Sequence, residues 1–344
     1  MKRQNLVGPR SGRASSMRQR QIRRSRFLVV GRAGMDFYAD PPGTRLEEAK
    51  VFSATLGGSA ANAAAGIVKL GGEASIITLL SDDAVGRFVM NELRSFGIGI
   101  EHVRKSADEE ARSSLAVVET RLEDCQSVIY RNGAADLLLS EADVQRVEFR
   151  DFGALILTGT CLAQEPSRSA TFLAVELARQ AGLPVILDVD HRPYSWSSRE
   201  DATAAYRQAA ALSDIVVGNE IEFDVLDGGS GGFERARQLA SEARLVVYKM
   251  GERGTVVFDG VDVAETGVFK VDALKPTGAG DAFMAGFAMG LATGCEIRES
   301  VHRGSAAAAI VVTRVGCARA MPTSAELDAF LAANPLPSIQ RIAG

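Results

Sequence analysis

One short segment, residues 275–291 (KPTGAGDAFMAGFAMGL), combines a glycine-rich turn with a single carboxylate ahead of an uncharged run. Glycines accept positive φ angles and let a ligand approach the backbone closely. A helix that begins at about Ala279 or Gly280 would point its free amide N–H groups outward and form an anion site suited to phosphate. Asp281 would lie beside that site and could take the proton from an attacking hydroxyl group.

A purely structural role for Asp281 is an open alternative. The helix dipole stabilises an acid in the first turn by roughly a few tenths of a kcal/mol, and short glycine-rich motifs recur by chance. Other nucleotide-binding signatures are missing. The chain has no G-x-x-x-x-G-K-[ST] segment and no H-R-D motif of a protein kinase, and Gly31 and Gly34 do not complete a G-x-G-x-x-G.

The segment must be positioned by a sheet, because strand patterns alternate with helical patterns along the chain. The strand patterns are Arg26–Gly31, ASIITLLS (74–81), ALILTGT (154–160), PVILDVD (184–190), DIVVGN (214–219) and LVVYKMG (245–251). Helical periodicity separates them at 57–72, 83–98, 169–182 and 233–243. This alternation predicts a parallel sheet with right-handed crossovers.

Polar or glycine residues follow four of these strands directly. They are Thr158-Gly159, Asp188 to Asp190, Gly218-Asn219 and Lys249 to Gly251. Ligands of open α/β sheets bind beyond the carboxyl ends of the strands, so the four tips are predicted to line one site. Residues 36–56 and 112–131 predict a small β appendage. The chain has no repeat of fixed period and no linker, and we interpret residues 26–335 as one domain.

The composition is that of a globular protein with a large core. The chain has 344 residues, of which 46% are hydrophobic and 24% charged. No apolar run reaches the roughly 18 residues that would span a membrane. The four cysteines lie far apart and form no C-x-x-C pair, which favours reduced thiols in a cytoplasmic protein.

Charge is unevenly distributed. Residues 1–26 hold nine Lys or Arg and no acid; because the whole chain carries −4, the remainder carries −13. An acidic body argues against nucleic acid as a partner. Residues 1–25 predict a basic disordered extension, with an organelle transit peptide or a start at Met17 as alternatives. The segment lacks the apolar stretch of a secretory signal.

Two segments, in this order, resemble the signatures of the PfkB (ribokinase-like) carbohydrate kinases. They are GGSAANAAAGIVKLGGEASIITLLSDDAVGRF, from Gly57, and KPTGAGDAFMAGFAMGL, from Lys275. The likeness runs from about Arg26 to Phe330. It implies ATP-dependent phosphorylation of a sugar hydroxyl group. The implied fold is α/β, a doubly wound and mostly parallel sheet flanked by helices, with a small β lid.

The resemblance assigns roles to positions that lie at predicted strand ends or in turns. These are Asp281 as the catalytic base; Gly278, Ala279 and Gly280 as the anion hole; Asp36, Gly57, Gly58 and Asn62 as ligands of the sugar hydroxyls; Asn219 and Glu222 as the N-x-x-E motif that helps hold magnesium and phosphate; and Lys249 and Gly251 as phosphate and nucleotide contacts. Each also has a structural alternative as a cap, a surface charge or a turn. The implied cofactors are ATP and Mg²⁺.

One position departs from the family. Many members place an aspartate six residues before the catalytic base, where it helps bind a monovalent cation. This chain has Lys275 there. The resemblance therefore does not extend to activation by potassium.

The arginines bear on the substrate. An acid sugar needs a cation, and a guanidinium group matches a carboxylate with two parallel hydrogen bonds. Arg131 and Arg192 resemble positions where sugar-acid kinases of this family hold the substrate carboxylate. The alternative for Arg192 is a structural pair with Asp188 or Asp190. Arg32 and Arg45 are further candidates for the polar end of the pocket. The alternative for each is a position on the protein surface.

Local matches resemble one branch of the family, which phosphorylates a keto-deoxy sugar acid of inositol catabolism at its terminal 6-hydroxyl. They are GRAGMDFYA (31–39), GTRLEEAKVF (43–52), YRNGAADL (130–137), LDVDHRPYSW (187–196) and TRVGCARAMPT (313–323). The alternatives are another keto-deoxy acid kinase, a ribose or fructose kinase, a non-catalytic sensor on the same fold, and a nucleic-acid binder that uses the basic N-terminus. The family also implies a possible homodimer through the lid, and nothing implies a membrane partner.

Overall fold

A large sheet with helices on both faces and a small separate sheet make up the fold. The computed structural model describes residues 22–242, 244–260 and 262–334. The strands are β1 (Arg26–Val30), β2 (Gly34–Asp40), β3 (Val51–Gly57), β4 (Glu73–Leu80), β5 (Val103–Lys105), β6 (Leu115–Val118), β7 (Ser127–Tyr130), β8 (Ala154–Thr158), β9 (Val185–Asp188), β10 (Ile215–Asn219), β11 (Leu245–Lys249), β12 (Thr255–Asp259) and β13 (Asp262–Thr266). The α-helices are α1 (Ser59–Lys69), α2 (Ala84–Ser95), α3 (Glu141–Val144), α4 (Ser167–Gln180), α5 (Arg199–Leu212), α6 (Glu220–Asp227), α7 (Gly232–Ser241), α8 (Ala279–Ala292), α9 (Ile297–Val312) and α10 (Ser324–Ala333).

The large sheet has the strand order β13-β12-β11-β10-β9-β8-β1-β4-β5 among the described residues. Strands β1, β4, β5 and β8 to β11 pair in parallel. Their apolar runs are buried on both faces, as in β8, where all five residues are buried. The chain leaves β1 toward β4 on one side and later adds β8 on the other side. The predicted doubly wound α/β fold is therefore confirmed, and the β1–β8 boundary is its switch point.

Two cores cover the two faces of this sheet. Side chains of α1, α2, α8, α9 and α10 build one core. Those of α4, α5, α6 and α7 build the other. The helix boundaries follow local signals: α2 begins after Asp83, whose side chain accepts a hydrogen bond from the Gly86 amide, and ends before Gly97, which has a φ of 74°.

The small sheet, which we call the lid, has the order β3-β2-β6-β7. Strand β2 pairs antiparallel with β3 and parallel with β6, and β6 pairs antiparallel with β7. Both antiparallel pairs lie in the segments that the sequence assigned to a β appendage. A 3.0 Å contact between the Tyr38 hydroxyl and Cys317 Sγ joins the lid to the loop after α9.

The edge strands β12 and β13 are the antiparallel part of the mostly parallel sheet, and the alternation of strands and helices did not predict them. They are antiparallel to β11 and to each other. A tight turn pairs Asp259 with Asp262, and Gly260 has a φ of 65°. A glycine at the first position between the paired residues suits a tight hairpin, in which the chain turns back without a crossover helix.

The predicted basic extension, residues 1–25, falls mostly outside the described residues, which begin at Ile22. Ile22 is only 4% exposed and packs in the core of the α1 face. Arg24 donates hydrogen bonds to the backbone carbonyls of Arg150 and Asp151. Packed chain thus precedes the predicted start at Arg26. None of the helices in the described part of the chain combines the length and apolar character that crossing a bilayer requires.

Candidate active site

A cavity of about 350 Å³ lies at the carboxyl ends of the central strands, with residues of the lid on one side. The strand tips at Asp188, Asn219 and Lys249 line it, as the ends of adjacent parallel strands must. Of the residues singled out in the sequence, the cavity brings together Arg32, Asp36, Asn62, Arg131, Arg192, Asn219, Glu222, Lys249, Gly278, Gly280 and Asp281.

Some predicted site residues lie outside the cavity lining. They are Gly57, Gly58, Ala279 and Gly251, together with the further candidate Arg45. A Cβ atom on Gly57 would lie 1.9 Å from Asp36 Oδ1, so this glycine makes room for the carboxyl group. Arg45 is exposed and lies 3.7 Å from Glu47, so it is not at the polar end of the pocket.

Asp281 occupies the first turn of α8, at the floor of the cavity. Its Oδ2 accepts a 2.8 Å hydrogen bond from Nδ2 of Asn62, which projects from α1. Burial raises the pKa of Asp281 to about 7, and the charge of Asp190 adds to the shift. The Asn62 hydrogen bond and the charges of Arg192 and Arg32 lower the same pKa. A carboxyl group with a pKa near neutral can both take and release a proton.

The start of α8 leaves its amides free. Gly278, the N-cap, has a φ of 85°, in the left-handed region that glycine favours. Within the part of the chain that the structure describes, the amides of Gly278, Ala279, Gly280 and Asp281 donate to no protein acceptor. Lys249 Nζ lies 3.6 Å from the position that a Cβ atom would take on Gly280. Free amides, the helix dipole and an ammonium group together suit a phosphate.

Asn219 and Glu222 form a capping box at the start of α6. Asn219 Oδ1 accepts from the Glu222 amide at 3.0 Å, and Glu222 Oε2 accepts from the Asn219 amide at 2.6 Å. Glu222 Oε1 also accepts from the His191 amide at 3.2 Å. The capping alternative for Asn219 is therefore present, and both side chains line the cavity as well.

Asp188 was placed at a strand tip by the sequence but was not singled out for a role. Burial raises the pKa of Asp188 well above its usual value. The ammonium group of Lys249 opposes this shift, while the charges of Asp190 and Glu222 add to it. Asp188 is thus a buried carboxyl group beside other carboxyl groups, and a bound cation would lower its pKa.

Two of the three cavity arginines are already paired. Arg131 donates to Asp136 through Nε, at 3.0 Å, and through Nη2, and its Nη1 donates to the Thr160 carbonyl at 2.9 Å. Arg192 Nη2 lies 2.7 Å from Asp190 Oδ1. The structural alternative for Arg192 is thus realised, with Asp190 as its partner.

Arg32 differs from these two arginines. It is 8% exposed, and its Nη1 donates to Ser114 Oγ at 3.1 Å. Among the described residues, no carboxylate pairs with Arg32. Arg32 is therefore the cavity guanidinium group with donors to spare for a ligand.

Several buried acceptors next to the cavity have no partner in the described structure. They are Asp36 Oδ1, Thr55 Oγ1 and Asn62 Oδ1. Asp36 and Thr55 face each other across β2 and β3. Burying an unpaired polar atom is costly, so such atoms indicate where the hydroxyl groups of a ligand would bind.

The sequence assigned no role to Thr160, Tyr194 and Cys317, which also line the cavity, and it placed Asp190 only at a strand end and as an alternative partner of Arg192. Asp190 follows the end of β9 by two residues, and its φ of 39° is unusual for a residue other than glycine. Tyr194 and Cys317 lie in loops without a strand-end signal. Their place depends on how distant segments fold back.

The sequence model of the pfkB family carbohydrate kinases matches residues 24–324. The chain is 40% identical over 312 residues to 5-dehydro-2-deoxygluconokinase of Photobacterium profundum, an alignment that covers 88% of this chain and 94% of the relative. It is 35% identical over 312 residues to 5-dehydro-2-deoxygluconokinase of Geobacillus kaustophilus, covering 89% and 93%.

A solved structure is also similar to this chain. It is a fructokinase double mutant from Vibrio cholerae O395 in a form with fructose, ADP and potassium ion bound. The TM-score is 0.80 and the sequence identity 26%, over 90% of this chain and 99% of the fructokinase. The likeness therefore extends over nearly the whole described chain.

Proposed function

Since this chain belongs to the pfkB family of carbohydrate kinases, we propose that it transfers the γ-phosphate of ATP to the terminal 6-hydroxyl of a keto-deoxy sugar acid, 5-dehydro-2-deoxygluconate. The observation that carries this proposal is the position of Asp281. Its carboxyl group, with a pKa of about 7, lies in the same helical turn as four amides that have no acceptor among the described residues. Relatives 35–40% identical that bear the name of this sugar-acid kinase support the substrate.

Asp281 acts as the general base in this proposal. The sugar O6 attacks the γ-phosphorus of ATP, its proton passes to Asp281 Oδ, and the bond from the γ-phosphorus to the bridging oxygen of ADP breaks. The Asn62 hydrogen bond orients the carboxyl group. The amides of Gly278, Ala279 and Gly280 and the Lys249 ammonium group stabilise the charge on the transferred phosphoryl group.

Magnesium is implied by the family, and the residues present fit it. Asp188 and Glu222 line the cavity, as Lys249 does, and carboxyl oxygens together with water and phosphate suit Mg²⁺. Within the described residues, no group of three or more His, Cys, Asp or Glu is arranged to hold a metal alone. Asn219 and Glu222 would therefore contribute indirectly. When bound, the ion neutralises phosphate charge.

The sugar-acid end of the substrate would meet the polar residues under the lid. The unpaired acceptors of Asp36 and Asn62 would take hydrogen bonds from the sugar hydroxyls. The missing side chain of Gly57 makes room for the Asp36 carboxyl group, and the Gly58 carbonyl accepts a hydrogen bond from the Asn62 amide at 2.8 Å. Arg131 and Arg192 add positive charge, although each already has a carboxylate partner. We therefore assign the first contact with the substrate carboxylate to Arg32.

A neutral sugar is the competing substrate, because pairing with Asp136 and Asp190 neutralises two of the three cavity arginines. The decisive experiment is a coupled ADP-release assay on 5-dehydro-2-deoxygluconate, 2-dehydro-3-deoxygluconate, ribose and fructose. We expect the highest kcat/KM for 5-dehydro-2-deoxygluconate, and a loss of this preference in Arg32→Met. A higher kcat/KM for ribose or fructose would overturn the sugar-acid assignment.

A homodimer through the lid is part of the proposal. The lid face turned away from the cavity carries Phe52, Val128 and Tyr130, which are 38%, 44% and 59% exposed. Large apolar side chains exposed on one face of a sheet favour pairing with a second copy. Sedimentation velocity of Tyr130→Asp against the parent protein tests it.

We keep the cytoplasm as the proposed location, since the four cysteines are free thiols.

A further inference from the structure

Lys275, three residues ahead of the anion hole, is fully buried at 0% exposure. Its Nζ donates to the Thr277 carbonyl and, at 3.5 Å, to the Val311 carbonyl. Among the described residues, no carboxylate pairs with this ammonium group. A buried lysine without an acidic partner is costly and calls for a physical reason.

The surroundings of Nζ are those of a cation site built from carbonyl oxygens. Val311 is the penultimate residue of α9, so its carbonyl is at the negative end of the helix dipole. Backbone carbonyls are also the groups that replace the hydration shell of a potassium ion in proteins. Here the positive charge among the carbonyls is supplied by a side chain.

The contact with Thr277 reaches the anion hole through one peptide unit. The peptide between Thr277 and Gly278 is planar and trans, so its C=O and N–H point in opposite directions. Because Lys275 holds the carbonyl, the Gly278 N–H must point away from Lys275. Thr277 and Gly278 both line the cavity. Lys275 thereby sets the orientation of the first free amide of α8.

A separate monovalent cation does not fit this arrangement. The position that many family members give to an acid for such a cation holds a lysine, and its ammonium group already contacts the carbonyls. We propose that Lys275 is a positioning residue. Its ammonium group takes the place of a bound monovalent cation, fixes the orientation of the Gly278 amide in the anion hole and makes phosphoryl transfer independent of potassium. This inference rests on the anion-hole role given to α8 in the proposed function.

The first test needs no variant. The wild-type kinase is assayed at equal ionic strength in potassium, sodium, ammonium and Tris salts, and ADP binding is measured in parallel by calorimetry. We expect the same kcat and the same Kd for ADP in all four. A rise in kcat, or a tightening of ADP binding, that is specific to potassium would overturn the proposal.

The second test removes the ammonium group of Lys275. In Lys275→Ala, kcat should fall about tenfold to a hundredfold, the loss expected when an anion-hole donor is misdirected. The KM for the sugar should change little, because the substrate lies on the lid side. Ammonium and potassium salts should restore part of kcat and tighten ADP binding in this variant, and choline should not.

Lys69 provides a matched control. Its Nζ also donates to two backbone carbonyls, those of Arg319 at 2.9 Å and Met321 at 2.6 Å, but it does not line the cavity. Lys69→Ala should lose stability without gaining any response to potassium. Full kcat in Lys275→Ala, or a loss that no cation restores, would contradict the proposal. If Lys275→Ala does not fold, Lys275→Met replaces it, and the wild-type salt series decides independently.

Failure of the proposed substrate would look different. In that case no sugar acid is phosphorylated. The dependence of ADP binding on potassium can still be measured for the wild-type protein and for Lys275→Ala. The salt response of ADP binding thus tests Lys275 separately from the sugar.

Discussion

Two glycine turns, at Gly57-Gly58 and at Gly278–Gly280, begin helices that pack against each other, and in the described structure they differ in whether a neighbouring chain segment accepts from one of their first amides. At α1, the Ala61 amide donates to the Arg32 carbonyl at 3.3 Å. A Cβ atom on Gly58 would lie 2.3 Å from the same carbonyl oxygen. At α8, the first four amides have no acceptor among the residues that the structure describes. Neighbouring backbone thus covers part of the first turn, although the Ser59 and Ala60 amides have no acceptor among the described residues either.

This difference separates two uses of glycine. At α1, the missing side chains allow the chain segments that carry Asp36 and Arg32 to pack closely. At α8, the missing side chain of Gly280 leaves room beside Lys249 for a ligand. A neighbouring chain segment therefore limits how many amides a glycine-rich helix start can offer to an anion. The hydrogen bond from Asn62 to Asp281 links the two turns.

The largest effect should come from Asp281, the acid in the first turn of α8. Asp281→Asn removes the proton acceptor, so kcat should fall about a thousandfold, within the range for a lost general base. The Kd for ADP should change little. Steady-state ADP release and calorimetry measure both quantities.

Glu326 is the matched control, since it is also the third residue of its helix and accepts from the Thr323 amide at 2.8 Å. Glu326→Gln should lower stability and leave kcat unchanged. Comparable kcat losses in Asp281→Asn and Glu326→Gln would reduce Asp281 to a helix cap.

Alanine at the two turns should separate stability from activity. Gly58→Ala faces a φ of 97° and a backbone clash, so the protein should lose roughly 2 kcal/mol or more of stability. Gly280→Ala meets no atom closer than 3.6 Å, so its Tm should hold or rise. Its kcat should nevertheless fall about tenfold, because a methyl group narrows the phosphate site. Differential scanning fluorimetry and turnover on both variants check this, and equal Tm losses would contradict it.

The smallest effect should be a shift in pH dependence. Because the pKa of Asp281 is raised to about 7, the carboxyl group is protonated below that pH, and kcat/KM should rise as the pH increases through 7. Asn62→Ala removes a hydrogen bond that lowers this pKa. The rise of kcat/KM with pH should therefore occur about one pH unit higher, as expected for the loss of a hydrogen bond of about 1.5 kcal/mol. The exposed Asn91 serves as control, and an unchanged pH dependence in Asn62→Ala would refute the assignment.

Much of the site was predictable because its residues follow local signals. Asp188, Asn219 and Lys249 are the last residues of apolar strands, and parallel strands end at one edge. The start of α8 at Ala279 follows from the glycines before it. The antiparallel β12–β13 edge was not predicted, because alternation alone does not reveal a hairpin at the end of a parallel sheet.

The amino-acid sequence by itself determined the order of strands and helices, the polar strand ends and the carboxylate in the first turn of α8. These features depend on periodicity and on neighbours a few residues away. Only the tertiary structure decided which charges are paired. Arg131 meets Asp136, Arg32 has no carboxylate partner in the described part of the chain, and Lys275 lies among carbonyl groups. Pairing and desolvation depend on residues that are far apart in the chain, and no local pattern encodes them.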